Sequence, residues 1–343
     1  MTLAKTVIAE EVLPAVFGKG VALRDGPHEL AGGTMHPSFA LDVDAGGREL
    51  ELVVRTTVKG RGDLSVAALE FTTIKAALAC GVPAPPVHGY GETSAGDAYL
   101  VMGRVNGETS PRPLLQAPEY ETSRRVIVGQ LAEALANIHR VQPPSLTVPL
   151  RSPDPGQDPF MAECQRLHSQ YEEDRVERHP VLEWGLRWLT NRLAAEPAST
   201  PTTTLVHGDF RVGNIMYDQH GLKAVLDWEA AHFGDPAEDL AWFCAKVWRF
   251  GNSHLEAGGL ATRESWIQAY ERFSSSPINR VRLALWEVAA NIRWAIITLN
   301  QAKAHLTGMV QSHELLSIGR RTAETELEIL RLIQELREQR HAG

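Results

Sequence analysis

The chain has 343 residues, 43% hydrophobic and 22% charged, which suits a soluble globular protein built as one large domain or two lobes. Its formal charge of -8 excludes sequence-independent nucleic-acid binding as the expected role, because that needs a basic face. Cys80, Cys164 and Cys244 are odd in number and far apart, so they offer no disulfide framework or paired metal ligands and imply a reduced cytoplasmic setting.

Glu10 and Glu11 fall where a signal peptide would carry its apolar run, and no targeting segment is expected. Residues 30–41, LAGGTMHPSFAL, place glycines between apolar ends and predict a hairpin. ELELVV at 49–54 predicts a strand ending at Arg55. After a glycine-containing loop, residues 65–79 bring Val66, Leu69, Ile74, Ala77 and Leu78 near one helical face, with Gly81 and Pro83 as stops. YLVM at 99–102 predicts another strand, followed by the polar turn RVNGE. The rest reads as mostly helical: a helix over 120–139, an irregular proline-rich stretch over 140–160, helical pattern over 164–193 and a loop over 197–203. A strand–loop–strand–turn–strand segment follows over 205–227, and helices return from about residue 262. The apolar run 281–299 contains Arg282, Glu287 and Arg293, which predicts a buried helix and no membrane contact.

The chemistry concentrates in 205–227. LVHGDFRVGN delivers Asp209 into a loop after a short strand, and Asn214 follows five residues later. NIMYDQHGLKAVLD then makes two short strands that return Asp227 beside Asn214. Phosphoryl transfer needs such a set: a carboxylate to take or orient the hydroxyl proton, and an amide oxygen and second carboxylate to hold Mg²⁺, which prefers hard oxygen ligands. The order matches a kinase signature, with His207-Gly208-Asp209 in the place of His-Arg-Asp and Asp227-Trp228-Glu229 in the place of Asp-Phe-Gly.

The stretch HGDFRVGNIMYDQHGLKAVLDWEAAHFGDPAEDLAW resembles the aminoglycoside phosphotransferase and choline kinase superfamily. Within it the wording is nearest the phosphotransferase subgroup related to the kinase-like domains of some acyl-CoA dehydrogenases. The resemblance covers roughly residues 25–255. It implies an α+β, bilobal, protein-kinase-like fold: a small β-rich nucleotide-binding lobe over 1–104, and a larger helical lobe over 105–343 carrying the catalytic loop and the acceptor-binding helices. It implies Asp209 as catalytic base, with Arg211 steadying the γ-phosphate. Asn214 and Asp227 become Mg²⁺ ligands. Arg55 stands for the phosphate-binding lysine, with Glu70 as its ion-pair partner. The loop over the phosphates runs from Gly32 to Ser38 and includes Gly33. Met102 to Val105 become the hinge, where Gly103 and Val105 meet adenine. Two departures stand out: Arg replaces Lys at 55, keeping the charge and adding a fork, and GGTMHPSF lacks the full G-x-G-x-x-G.

Other motifs have plainer readings. His207 packs the loop. Asp235-Pro236-Ala237-Glu238 reads as a helix start, with Asp235 and Asp239 as scaffolding. Most tryptophans read as core. His28, His36, His88 and His139 are too scattered for a zinc site. The expected activity is ATP- and Mg²⁺-dependent transfer to a hydroxyl of a small molecule, and the subgroup suggests a hydroxyacyl acceptor. An aminoglycoside acceptor, for which Glu172, Glu173 and Asp174 offer acidity, is the alternative. A nucleotide-binding pseudokinase is a third reading, and a protein kinase is disfavoured by the lack of Ala-Pro-Glu after Asp227. The acceptor, the choice of ATP or GTP and the oligomeric state are not fixed by the sequence.

Overall fold

The computed structural model describes residues 5–30, 37–57, 64–142, 146, 148–195 and 203–342. The chain divides into two compact units. The first takes in Met1–Ser110, Ala117–Leu150 and Asn214–Ala231; the second takes in Pro111–Gln116, Arg151–Gly213 and His232–Gly343.

The first unit begins with two short helices, α1 (Lys5–Val7) and α2 (Leu13–Phe17), joined by a π-helical turn at Ile8–Val12. Strands β1 (Val21–Glu29), β2 (Ser38–Ala45) and β3 (Glu49–Thr57) lead to helix α3 (Leu64–Ala79), then β4 (Val87–Glu92) and β5 (Ala98–Gly103). These strands form one antiparallel sheet in the order β1-β2-β3-β5-β4. Alternation supplies its core: Phe39, Leu41 and Val43 of β2, Leu52 and Val54 of β3, and Tyr99 and Val101 of β5 close over Ile8, Val12 and Leu13. Of the hairpin expected at 30–41, residues 31–36 lie outside the described residues; Ser38 to Leu41 fall in β2, which pairs with β1, Glu29 opposite Phe39. Strand β1 starts earlier, at Val21. Gly26 and Pro27 hid it, and register shifts between Leu23 and His28 accommodate them on this edge strand. Helices α1 and α2 and strand β4 are additions to the sequence reading.

Helix α4 (Pro111–Gln116) belongs to the second unit, and α5 (Glu121–Ile138) to the first. In the second unit, the helical pattern expected over 164–193 is two helices, α6 (Pro159–Asp174) and α7 (Pro180–Ala195), Pro180 opening the second. Of the expected loop over 197–203, residues 197–202 lie outside the described residues. Next come β6 (Thr204–Val206), then β7 (Ile215–Asp218) and β8 (Gly221–Val225), the hairpin of the first unit, and β9 (His232–Gly234), which pairs with β6. The hairpin rests on α5: the Leu222 N–H donates to Gln130 Oε1 at 2.8 Å. Gly221 sits at φ +122°, and a Cβ there would come within 2.0 Å of that oxygen.

Helices α8 (Pro236–Cys244), α9 (Arg263–Glu271), α10 (Arg280–Leu306), α11 (His313–Gly319) and α12 (Thr322–Ala342) complete the second unit. No helix among the described residues is long and apolar enough to cross a membrane. Asp235 caps α8 by accepting the Ala237 N–H, and Asp158 caps α6 by accepting that of Phe160. Arg282 of α10 binds both caps, meeting Asp158 at 2.7 and 3.0 Å and forming an ion pair with Asp235. The Trp286 indole adds a donor to Asp235 at 2.9 Å and stacks on Phe160.

Candidate active site

In the second unit, the loop after β6 is held from α8. Asp239 is fully buried and accepts the N–H of His207 at 2.7 Å and that of Gly208 at 2.9 Å. Two converging backbone donors need a sharp bend, and Gly208 supplies it at φ +77°, where a side chain would be strained. His207 is buried, and its Nδ1 accepts the Asp209 N–H at 3.2 Å, which is a packing role. The Asp209 carboxylate therefore stands on a fixed backbone. It accepts the Trp242 indole N–H at 2.7 Å, and Arg211 Nε at 3.1 and 3.2 Å. The Arg211 guanidinium lies 4.6 Å from the Trp248 ring, an electrostatically favourable stack.

Behind Trp242 lies a small cavity lined by Glu163, Leu167, Glu238, Trp242, Trp286 and Arg293, among others. Arg293 rests 4.6 Å from the Trp242 ring and reaches Glu238 at 3.4 Å. Burial pushes the Glu163 carboxyl up, but Arg166, Arg293 and Arg151 outweigh it and hold the group at about 2. Glu163, His232 and Glu238 bring ligand-type atoms within 4.8 Å of one another. Three arginines already neutralise these carboxylates, so the cluster suits an ion-pair network better than a cation.

In the first unit, register places Ser38 of β2 opposite Arg55 of β3, on one face of the sheet. Arg55 pairs with Glu70 of α3 and lies 3.6 Å from Asp227. Burial lowers the Arg55 pKa, but Glu70, Asp227 and Glu229 overcome that and raise it, so the guanidinium stays charged. Burial raises Glu70 against the pull of Arg55. Glu70, Asp227 and Glu229 each bring an oxygen within 4.8 Å of the others. Three carboxylates facing one guanidinium leave net negative charge and hard oxygen donors, a set that fits a divalent cation. Pairing of Ile215 with Val225 brings Asn214 and Asp227 to the same end of the β7–β8 hairpin, and the Leu226 N–H donates to the Asn214 carbonyl at 2.8 Å. Asp227 adopts φ +66°, rare for a non-glycine residue.

Met102 and Gly103 end β5, and Val105 follows two residues later; all three are half-buried. The Gly103 N–H donates to the Pro86 carbonyl at 2.7 Å. Gly33 lies outside the described residues. Two residues of the site escaped sequence reasoning. Glu229 was visible only as the third letter of Asp-Trp-Glu. Trp242 was one of eight tryptophans, and helical spacing does not say which of them faces the loop.

A model of the Phosphotransferase enzyme family matches residues 28–278. The chain is 31% identical over 264 residues to acyl-CoA dehydrogenase family member 10 of Mus musculus, covering 71% of this chain and 24% of that one. It is 31% identical over 218 residues to acyl-CoA dehydrogenase family member 11 of Homo sapiens, covering 59% and 27%. The chain thus spans about a quarter of the length of these relatives. Among solved structures, a candidate aminoglycoside phosphotransferase from Ralstonia eutropha superposes with a TM-score of 0.74 at 20% identity, covering 95% of this chain and 98% of the other. A thermostable mutant of aminoglycoside phosphotransferase APH(4)-Ia, in ternary complex with AMP-PNP and hygromycin B, gives 0.62 at 21%, covering 96% and 99%. These likenesses establish an α+β kinase-like fold, with a five-stranded antiparallel sheet followed by a helical remainder. The family model takes in well over half of the chain, and the chain belongs to the Phosphotransferase enzyme family.

Proposed function

We propose that this protein is an ATP-dependent small-molecule kinase that moves the γ-phosphoryl group to a hydroxyl, with a hydroxyacyl compound as acceptor. The observation that carries the reading is the Asp209 carboxylate, standing on a loop whose backbone Asp239 fixes. Asp209 takes the hydroxyl proton as the acceptor oxygen bonds to the γ-phosphorus, and the electron pair of the broken P–O bond leaves with ADP. Arg211 sets positive charge beside that carboxylate. In the first unit Arg55, ordered by Glu70, binds the α- and β-phosphates, with Ser38, opposite Arg55 at the start of β2, close to them. Asn214 and Asp227 would hold Mg²⁺, with Glu229 close enough to Asp227 to contribute. An ion bound there would supply positive charge against the negative charge developing on the phosphates. Met102 to Val105 form the adenine hinge; since the Gly103 N–H is engaged by Pro86, adenine meets Gly103 through its carbonyl and Val105 through its backbone.

The surroundings of Asp209 favour an uncharged or anionic acceptor. Arg211, stacked on Trp248 beside that carboxylate, would oppose the ammonium groups of an aminoglycoside. The family relationship to acyl-CoA dehydrogenase relatives points the same way. The test measures ADP release from Mg-ATP with 3-hydroxybutyryl-CoA and with kanamycin, for the wild type and Asp209→Ala. Turnover on the hydroxyacyl thioester, lowered at least about a hundredfold in the variant, is expected. Near-normal transfer by the variant removes Asp209 as base. Turnover on kanamycin alone overturns the acceptor assignment.

A further inference from the structure

The second unit buries several tryptophans whose indole N–H groups fare differently. Those of Trp248 and Trp266 find no partner among the described residues, whereas that of Trp242 points at Asp209 Oδ1, 2.7 Å away. Trp242 is 2% exposed, and its ring has little freedom. Trp248 meets it edge-on at 5.4 Å, Ala245 and Ala290 pack against it, and the Arg293 guanidinium lies 4.6 Å from its centre. Arg293 is itself anchored by Glu238. Asp239 and Trp242 stand three residues apart on α8 and so share one helix face. From that face Asp239 fixes the loop by its backbone, and Trp242 reaches the carboxylate at its tip. A phenylalanine would keep an aromatic ring there but lose the donor to Asp209, which separates the hydrogen bond from most of the packing.

We infer that Trp242 is a positioning residue for phosphoryl transfer: its indole N–H fixes the rotamer of the Asp209 carboxylate and so the direction in which that group meets the acceptor hydroxyl. This rests on the reading of Asp209 as the base. A terminal carboxylate torsion is intrinsically soft, and misplacing a reacting group by an ångström is enough to slow a reaction a hundredfold. Arg211 approaches both oxygens through a single nitrogen, so it neutralises the group while constraining its rotation less.

A double-mutant cycle tests this, with ADP release from Mg-ATP measured alone and with 3-hydroxybutyryl-CoA. Trp242→Phe is expected to lower kcat about ten- to a hundredfold while the KM for ATP stays within about twofold. In an Asp209→Asn background the same change should cost less than about twofold, because there is no longer a base to aim. Trp266→Phe, which removes an equally buried but unpartnered indole N–H, serves as the packing control and should leave kcat within about twofold. Three results overturn the role: losses that multiply in the double variant, a Trp242→Phe enzyme of normal kcat, or an equal loss in the Trp266→Phe control. If Asp209→Asn alone costs nothing, the base assignment falls first and the positioning role with it.

Discussion

Arg55 and Glu70 meet where neither is well served by water, their side chains being 17% and 3% exposed. Removing one partner of such a pair leaves a stranded charge, whereas removing both leaves a cavity without one. Arg55→Ala should therefore destabilise the fold by about 3–5 kcal/mol, and Arg55→Ala/Glu70→Ala by less than the single change, as read by urea unfolding. If Arg55 also binds phosphates, both variants raise the KM for ATP by at least about tenfold. At this scale the sequence was informative where chemistry follows chain spacing. Asp209, Asn214 and Asp227 lie within one short segment, so their order proposes them as a set. Arg55 and Glu70 were reached through the family resemblance. Glu229 joins Glu70 only through tertiary approach, and Trp242 reaches Asp209 across 33 residues; no local pattern encodes either contact.

Among elements, the β7–β8 hairpin is the one that returns Asp227 beside Asn214, and its turn depends on Gly221 against Gln130. Gly221→Ala meets both a disallowed backbone angle and the Gln130 side chain, and a loss of about 2–4 kcal/mol is expected. Gln130→Ala in the same chain should recover at most the steric share, because the backbone strain remains and the Leu222 N–H loses its acceptor; thermal unfolding of both single variants and the double variant separates these contributions. Helices α3, α5 and α10 were legible because their apolar residues repeat at helical spacing over 16, 18 and 27 residues. Strand β4, with glycines at 89 and 91, and strand β9, three residues long, give period-2 alternation too little to act on. β1 was hidden by its internal Gly-Pro. Such strands are specified by the partners they pair with rather than by themselves.

On the scale of the whole molecule, acid stability should report the Glu163 network. Its carboxyl titrates at about 2 when folded against 4.5 when free, so its contribution is present above pH 4.5 and fades as pH falls toward 2. Glu163→Gln leaves Arg151 and Arg166 short of a counter-charge and should be less stable than wild type near neutrality. That gap should narrow by about 2 kcal/mol between about pH 5 and pH 3, measured by chemical denaturation at each pH. The -8 charge argued against sequence-independent nucleic-acid binding but said nothing of how carboxylates and arginines are matched inside.

Arg282 serves the opening turns of α6 and α8 at once, residues some 77 apart in sequence (235 − 158). Two helix starts that share one guanidinium cannot fray independently. Opening either one frees a buried charge that the other must then answer alone. Amide hydrogens at Phe160 and Ala237 should therefore exchange with closely matched protection in the native protein, and Arg282→Leu should lower both together while α5 is left unchanged.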